Sequence, residues 1–206
     1  MSQFYRYLTP TEVKTLRKTL KSTTGVEAAR DLAWINLMLA TGIRVGALSQ
    51  YTVGDAIEAL RRQRFVIRGD INKRGTRCDN LLTREAEQCL KDLLNIREDM
   101  GGDNRQHDEM LIIGTRGSKA KQGMTPRTYQ MALKKWAYAA DLSCASQVSP
   151  HWLRHTLGKE IMRQSTAKNP LQIVQAVFGH KDLNSTGVYT RPDKEMVDAG
   201  YGSVHV

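Results

Sequence analysis

Four of the five prolines in this 206-residue chain directly follow a residue that can cap a helix. These pairs are Thr9-Pro10, Thr125-Pro126, Ser149-Pro150 and Asn169-Pro170. A Ser, Thr or Asn side chain accepts a hydrogen bond from the first helical turn. Proline is tolerated at the first helical position because its missing N–H has no partner there. The repeated pattern predicts a chain built mainly from helices that begin at these four points.

Apolar spacing and turn residues fill in the remaining elements. Helices are expected over residues 10–20, 26–41, 84–98, 150–165 and 170–178, and one more begins at residue 126. The helix over 26–41 carries a buried stripe of Leu32, Trp34, Ile35, Met38 and Leu39, and Gly42 closes it. Residues 64–68 and 76–82 predict a hairpin around a basic turn at 70–75, and 110–113 a brief strand or extended piece. The expected fold class is therefore mainly α with a small antiparallel β-sheet.

Composition excludes several classes of protein. Apolar residues make up 40% and charged residues 25%, which favours a folded core over disorder. No apolar run approaches the roughly 18 residues of a membrane span, and the N-terminus lacks a signal-peptide core. The three cysteines form no CxxC pair, so neither a disulfide framework nor a cysteine zinc site is expected. We expect a cytoplasmic protein with no membrane partner.

Basic charge is concentrated in two stretches of the chain. The formal net charge is +10. Residues 61–80 hold seven basic residues against two acids, and residues 116–135 hold six basic residues and no acid. Between them, residues 85–109 carry eight acids against three bases. A basic face of this kind suits a polyanion such as nucleic acid. The alternative is that these charges lie on ordinary solvated loops and helix surfaces.

The start of the helix at Ser149 offers an anion-binding arrangement. His151 and Arg154 lie three residues apart in its first turns and so share a face. Free N–H groups and the helix dipole at this end favour a phosphate-sized anion. The alternative is a surface cation at Arg154 and a core histidine at His151.

Three further positions can contribute to such a site. Arg44 follows the tight turn at Gly42, so a rigid support could present its planar fork to phosphate oxygens. Gly179 ends a helix and fixes the position of His180. Tyr189 lies nine residues later in a polar stretch, where we expect it to stay out of the deep core. Each residue taken alone is also explained by exposure or packing.

Taken in order, these residues resemble the tyrosine recombinase (phage integrase) family, and specifically its C-terminal catalytic domain. The first family motif, T-G-x-R-x-x-E-L, is matched by Thr41, Gly42, Arg44 and Leu48. The motifs H-x-x-R and L-G-H are matched by His151 and Arg154, and loosely by Phe178, Gly179 and His180. Tyr189 matches the family's nucleophilic tyrosine, and Lys73 matches the lysine of its hairpin. A shift of one residue in the alignment of the hairpin turn would place Arg74 at the lysine position instead. The agreement covers about residues 9–190.

The chain departs from the family pattern in two respects. Ala47 stands where the first motif usually has glutamate. The family usually carries an N-terminal core-binding domain that clamps DNA, and 206 residues leave no room for it. We therefore expect a single catalytic domain over 1–206, either a minimal recombinase or a catalytic fragment. The resemblance implies that residues 190–206 form a tail that packs on a neighbouring protomer.

The resemblance implies a site-specific recombinase that cleaves and rejoins duplex DNA through a 3′-phosphotyrosyl intermediate. The implied catalytic residues are Arg44, Lys73, His151, Arg154, His180 and Tyr189. The sequence offers no convincing metal cluster, so two arginines would neutralise the phosphate, and no cofactor is expected. Candidate DNA contacts are Arg74, Arg77, Arg116, Lys119, Lys121, Arg127 and Lys134.

The implied partners are duplex DNA, further copies of the chain in a tetramer on paired sites, and accessory DNA-bending proteins. The implied setting is bacterial or phage-encoded and nucleoid-associated. Three alternatives remain at this point: a type IB topoisomerase, a non-catalytic DNA-binding regulator on the same fold, and a basic RNA-binding protein.

Overall fold

The computed structural model describes residues 6–115, 122–179 and 187–190, apart from the side chains of Arg74 and Val188. Its helices are α1 (Pro10–Ser22), α2 (Val26–Thr41), α3 (Val45–Leu48), α4 (Val53–Arg62), α5 (Arg84–Asp99), α6 (Pro126–Ala139), α7 (Pro150–Gln164) and α8 (Pro170–Phe178). Its strands are β1 (Arg64–Ile67) and β2 (Cys78–Leu81), and short 3-10 turns cover Lys73–Gly75 and Gly187–Tyr189. The predicted fold class is confirmed.

All four cap–proline pairs begin helices, but only two of the caps form as predicted. The side chains of Thr9 and Thr125 accept hydrogen bonds from the first turns of α1 and α6. The side chains of Ser149 and Asn169 make no cap hydrogen bond, so this part of the prediction is wrong. Proline at the first helical position fixes φ near the helical value, which lets α7 and α8 begin without a side-chain cap.

Helices α3 and α4, which lie between Arg44 and the hairpin, were not predicted from the sequence. Thr52 caps α4, accepting from the backbone of Asp55 while the Asp55 carboxylate accepts from the backbone of Thr52. This reciprocal arrangement was the available signal. Gly54 obscured it, because glycine within a first helical turn weakens helix propensity.

The sheet is a single antiparallel pair in which Arg64 faces Leu81 and Ile67 faces Cys78. Both strands are shorter than predicted, since the 3-10 turn and its flanking residues take up the ends. Residues 110–113, for which the sequence predicts either a brief strand or an extended piece, form the extended piece. It makes isolated bridges between Thr52 and Met110 and between Ile113 and Gly123.

Helix α2 lies at the centre of the core and packs on α1, α5, α6 and α7. Trp34, Ile35 and Met38 are fully buried. Leu32, predicted in the buried stripe, is only half-buried at the edge of the core. The apolar face of α6 is also buried, at Tyr129, Leu133, Trp136 and Ala137, and so is Ala140 directly after the helix. No helix among the described residues is both long and apolar enough to cross a membrane.

One buried carboxylate ties α2 to α6. The Asp31 carboxylate accepts hydrogen bonds from the indole N–H of Trp34 at 2.9 Å and of Trp136 at 2.8 Å. It also forms a salt bridge with Arg30, whose Nη1 donates to the carbonyl of Ile113. Because Asp31 is completely buried, each of these donors compensates for its lost hydration.

Candidate active site

The C-terminus of α2 sets the base of the site. Gly42 has φ +64°, a left-handed conformation that glycine adopts without strain. A Cβ atom at Gly42 would lie 2.3 Å from Cε1 of Phe178, so the missing side chain also lets α8 pack against this turn. The predicted role of Gly42 as the end of α2 is confirmed. Arg44 follows two residues later at the N-cap of α3.

Arg154 lies in the buried interior of the site, on α7. Only 3% of its surface is exposed. Its Nη1 donates to the carbonyl of Gly42, and its Nη2 donates to the carbonyl of Phe178 at 3.0 Å. The guanidinium carbon stands 3.9 Å from the centre of the Phe178 ring. Arg154 therefore joins α7 to the ends of α2 and α8, and the alternative of a surface cation is wrong.

The charge on Arg154 persists despite this burial. Burial, followed by the nearby charge of Arg44, lowers the pKa of the Arg154 guanidinium to about 10. That value is still well above neutral pH, so the side chain remains a cation. A buried cation next to a second arginine makes the site favourable for an anion.

The basic turn of the hairpin reaches the same site. Nη1 of Arg44 donates to the side-chain carbonyl of Asn72 at 3.1 Å. Lys73, the next residue, is exposed in the 3-10 turn. The structure thus brings the hairpin next to Arg44, as the predicted pairing of Lys73 with this site requires.

Two histidine rings lie together on the first turns of α7. His151 is exposed, which rules out the alternative of a core histidine, while His155 is buried. Their ring centres are 4.5 Å apart with the rings nearly perpendicular. One side of the His151 ring still faces the protein, and the loss of hydration there lowers its pKa. The charges of Arg154, Arg44 and Lys73 lower this pKa further. The unprotonated ring is therefore favoured near pH 7.

Tyr189 is buried, which corrects the prediction that it lies outside the deep core. Only 4% of its surface is exposed. Its ring centre lies 5.4 Å from that of His155 and 5.6 Å from that of Phe178. The polar residues around it in sequence did not indicate this, because the ring packs on α7 and α8 and not on its neighbours in the polar stretch.

The Tyr189 hydroxyl lies close enough to the Arg154 guanidinium to interact with it. Burial raises the pKa of Tyr189, while Arg154 and Arg44 lower it and offset part of this effect. The net shift is upward, so the hydroxyl is protonated at neutral pH. It needs a proton acceptor to act as a nucleophile.

Of the predicted catalytic residues, Arg44, Lys73, His151, Arg154 and Tyr189 meet around one place in the structure. His180 lies outside the described residues, although Gly179 before it ends α8 with φ +60° as predicted. Ala47, at the position of the family glutamate, is buried in the core. The predicted tail over 190–206 lies outside the described residues beyond Thr190.

The candidate DNA contacts are only partly described. Arg116, Lys119 and Lys121 lie outside the described residues, as does the side chain of Arg74. Arg127 is exposed in the first turn of α6 and Lys134 is half-buried further along it. Arg77 is exposed and forms an ion pair with Asp79 at 3.7 Å.

Much of the basic charge at 61–80 is locally compensated. Ion pairs join Arg61 and Arg62 to Glu58, Arg64 to Asp79, and Arg68 to Asp55 and Asp70. The effective positive charge of this stretch is therefore smaller than its sequence indicates. Within the part of the chain that the structure describes, no group of three or more His, Cys, Asp or Glu residues is placed to hold a metal ion.

Sequence reasoning missed two residues of the site. His155 stands four residues after His151, a spacing that puts both on one helix face, and this signal was available. Asn72 had no signal beyond its position next to Lys73, because its hydrogen bond to Arg44 spans 28 residues of chain.

Comparison with known proteins places this site in a family. The family model described as "Phage integrase family" matches residues 6–196. The chain belongs to the phage integrase family. This confirms the resemblance derived from the order of Arg44, His151, Arg154 and Tyr189.

Relatives with curated names support the same assignment. Tyrosine recombinase XerC of Chromohalobacter salexigens is 31% identical over 179 residues, which are 86% of this chain and 53% of the relative. Tyrosine recombinase XerD of Haemophilus influenzae is 29% identical over 95% of this chain and 61% of the relative. The chain thus spans between half and two thirds of the length of these family members.

Solved structures share the fold. The XerA recombinase structure has a TM-score of 0.72 at 21% identity, covering 100% of this chain and 66% of that chain. The structure of XerH bound to its palindromic difH substrate, a post-cleavage complex, has a TM-score of 0.71 at 18% identity, covering 98% of this chain and 54% of that chain. At these identities the likeness establishes the fold of the family.

Proposed function

We propose that this chain is the catalytic unit of a site-specific DNA recombinase, which cleaves and rejoins duplex DNA through a covalent 3′-phosphotyrosyl intermediate. The observation that carries the proposal is that the buried Tyr189 hydroxyl lies beside the buried Arg154 guanidinium, with Arg44 close to both. A nucleophile held against two cations is suited to attack a phosphodiester, whose non-bridging oxygens the cations neutralise.

The chemistry can be assigned to residues in the described site. The Tyr189 oxygen bonds to phosphorus, and its proton passes to His151, whose lowered pKa favours the unprotonated ring. The bond from phosphorus to the 5′-oxygen breaks, and Lys73 gives that oxygen a proton. Arg44 and Arg154 neutralise the phosphate throughout. We also propose that His180, which lies outside the described residues, donates a further hydrogen bond to it. Attack by a 5′-hydroxyl reverses these steps, so strands rejoin without an external energy source.

Duplex DNA is the proposed substrate. The family neighbours XerH and lambda integrase are described as complexes with DNA sites, which supports this choice. The net charge of +10 and the exposed Arg127 on α6 support it as well. We propose a tetramer on paired sites, assisted by DNA-bending proteins. The bacterial origin of XerC and XerD supports a cytoplasmic, nucleoid-associated location.

The experiment that tests this proposal is the trapping of a covalent complex. A site DNA with a nick near the cleavage position releases a short 5′ fragment, so rejoining cannot occur and the protein remains attached to the 3′ end. Inverted or direct repeats in the DNA flanking the gene supply the site to be used. The wild-type chain should be trapped, and Tyr189→Phe should not be, because this change removes one oxygen and keeps the ring packing.

Two further variants complete the test. Arg44→Ala should reduce trapping by about 10²–10³-fold, the usual loss for one transition-state donor. Arg154→Lys is preferable to alanine at the buried position, since it keeps a cation while losing the second donor to Phe178. Tyr189→Phe should bind site DNA with nearly wild-type affinity, because every basic contact remains. Failure of the wild-type chain to be trapped, with DNA-bending proteins supplied, would contradict the proposal, and trapping of Tyr189→Phe would assign the nucleophile elsewhere.

A further inference from the structure

Asn72 makes a concentrated set of hydrogen bonds at the edge of the site. It is 7% exposed. Its side-chain oxygen accepts from Nη1 of Arg44 at 3.1 Å, and its Nδ2 donates to the carbonyl of Thr76 at 2.6 Å and to Sγ of Cys78 at 3.3 Å. One planar amide therefore joins the connection after α2, the far side of the basic turn and the first residue of β2.

The backbone of Asn72 is equally engaged. Its N–H donates to the carbonyls of Arg68 and Gly69, both at 3.2 Å, and its carbonyl accepts from the N–H of Gly75 at 3.1 Å. The residue is thus fixed on both sides of the 3-10 turn that carries Lys73. A shift of Asn72 would move Lys73 and Arg44 together.

We propose that Asn72 is a positioning residue, which holds the Arg44 guanidinium and the Lys73 turn in a fixed relation to each other. The inference rests on the proposed function, in which Arg44 neutralises the phosphate and Lys73 protonates the leaving oxygen of the same phosphate. Both groups must approach one phosphorus atom, and a misplacement of about 1 Å can cost about 10²-fold in rate.

The amide is the side chain that this position requires. An acceptor is needed for the Arg44 N–H and two donors for Thr76 and Cys78, and one carboxamide supplies all three. An aspartate would keep the acceptor but lose both donors, and its charge would face the Thr76 carbonyl. Asn72→Asp should therefore cleave DNA more slowly than the wild type.

The first test measures single-turnover cleavage of nicked site DNA. Asn72→Ala should slow cleavage by about 10–100-fold and change DNA affinity less than threefold, because a positioning residue acts on the transition state. Asn104→Ala is the matched control. Asn104 is partly buried in the acidic stretch, and like Asn72 it donates to a backbone carbonyl, that of Leu94 at 2.9 Å. Equal slowing by the two variants would overturn the proposal in favour of a general loss of stability.

A double-mutant cycle separates positioning from simple structural support. Added to Arg44→Lys, the Asn72→Ala change should slow cleavage by less than about threefold, since the group through which it acts has already been altered. A full, multiplicative effect in that background would overturn the link to Arg44.

The link to Lys73 is tested with a sulfur leaving group. DNA carrying sulfur in place of the bridging 5′-oxygen releases a thiolate, which needs no proton from the enzyme. This substrate should relieve the Asn72→Ala defect in part and the Lys73→Ala defect almost fully. An Asn72→Ala defect that the sulfur substrate leaves unchanged would overturn this link.

A measurement without DNA keeps the inference independent of the activity. The Arg44 side-chain N–H signals in a nitrogen-15 NMR spectrum can be assigned by their loss in Arg44→Lys. They should shift in Asn72→Ala and stay in place in Asn104→Ala. If the wild-type chain forms no covalent complex, the proposed function fails while this shift still tests the Asn72 contact. Unmoved Arg44 signals in Asn72→Ala would overturn the inference.

Discussion

Gly158 determines how closely Tyr189 approaches α7. It lies on the face of α7 that the tyrosine ring covers, one turn after Arg154. A Cβ atom at this position would stand 2.4 Å from Cε1 and 2.6 Å from Cδ1 of Tyr189. The absent side chain therefore allows the Tyr189 ring to lie close against α7, near Arg154.

Gly158→Ala should reduce covalent trapping at least tenfold, because the added methyl group displaces the Tyr189 ring from Arg154. Alanine is the better helix former by about 0.5–1 kcal/mol, so α7 itself should not lose stability. The measurement is trapping on nicked site DNA, with thermal unfolding recorded in parallel.

Gly46→Ala is the matched control for this change. Gly46 is also helical, and an added Cβ there would meet no atom within 4 Å. It should be trapped like the wild type. Trapping of Gly158→Ala at the wild-type level would show that Tyr189 reacts from another position.

The lowered pKa of His151 predicts the pH dependence of cleavage. Only the unprotonated ring can accept the tyrosine proton, and its pKa lies below the usual 6.5. The single-turnover rate should therefore change little with pH near pH 7, where the ring is already unprotonated, and fall as the pH drops below about 6.5. His151→Gln should be slower and should lose this acidic decline.

His155→Gln is the comparison for that profile. His155 is the buried ring in contact with both His151 and Tyr189. If His151 is the proton acceptor, His155→Gln keeps the acidic decline even where its rate is lower. Loss of the decline in His155→Gln, with retention in His151→Gln, would exchange the two roles.

At the scale of elements, the site depends on how α2 and α6 are held together. Asp31 on α2 receives the indole N–H groups of Trp34 and Trp136, and the latter comes from α6. Gln130 of α6 in turn donates to the carbonyl of Val148 at 2.7 Å, just before α7 begins. The buried network thus connects the core to the helix that carries His151 and Arg154.

Asp31→Asn should destabilise the fold by about 3–5 kcal/mol, because it leaves Arg30 as a buried cation without its counter-charge. Urea unfolding followed by circular dichroism at 222 nm measures this without relying on the two tryptophans that contact Asp31. Asp79→Asn, which removes an exposed partner of Arg64, should change the stability far less, because solvent screens an exposed ion pair. Equal urea midpoints of unfolding for the two variants would contradict the role of Asp31 as the stabilising counter-charge of Arg30.

At the scale of the whole molecule, charge governs the proposed approach of DNA. If about four to six phosphates are neutralised, the logarithm of affinity should fall with the logarithm of salt concentration at a slope near −4 to −5. Many arginines of the 61–80 stretch already have acidic partners, so α6 should contribute a measurable share.

Arg127→Ala should make this slope shallower by about 1, because one phosphate contact is lost. Arg105→Ala removes an exposed arginine that is paired with Asp103 in the acidic stretch, and it should leave the slope unchanged. Titrations at four or more salt concentrations supply the slopes. A wild-type slope flatter than about −1 would exclude the basic face as a docking surface.

Features that depend on neighbouring residues could be predicted from the amino-acid sequence. Local backbone preferences explain why α1, α6, α7 and α8 begin at prolines. They also explain the left-handed turns at Gly42 and Gly179, and the hairpin. The order of motifs from Arg44 to Tyr189 indicated the family for the same reason, since it requires only residue types and spacing.

The burial of the site residues and the contacts between them depend on the tertiary structure. The sequence indicated neither that Arg154 is buried between the Gly42 and Phe178 carbonyls, nor that Tyr189 packs against Gly158, nor that Asn72 receives Arg44. Each of these contacts joins segments that are 24 or more residues apart, and their hydrogen bonds and close packing form only when the helices assemble. Spacing along a chain carries no information about such distances, so the positions of the reactive groups emerge only from the fold.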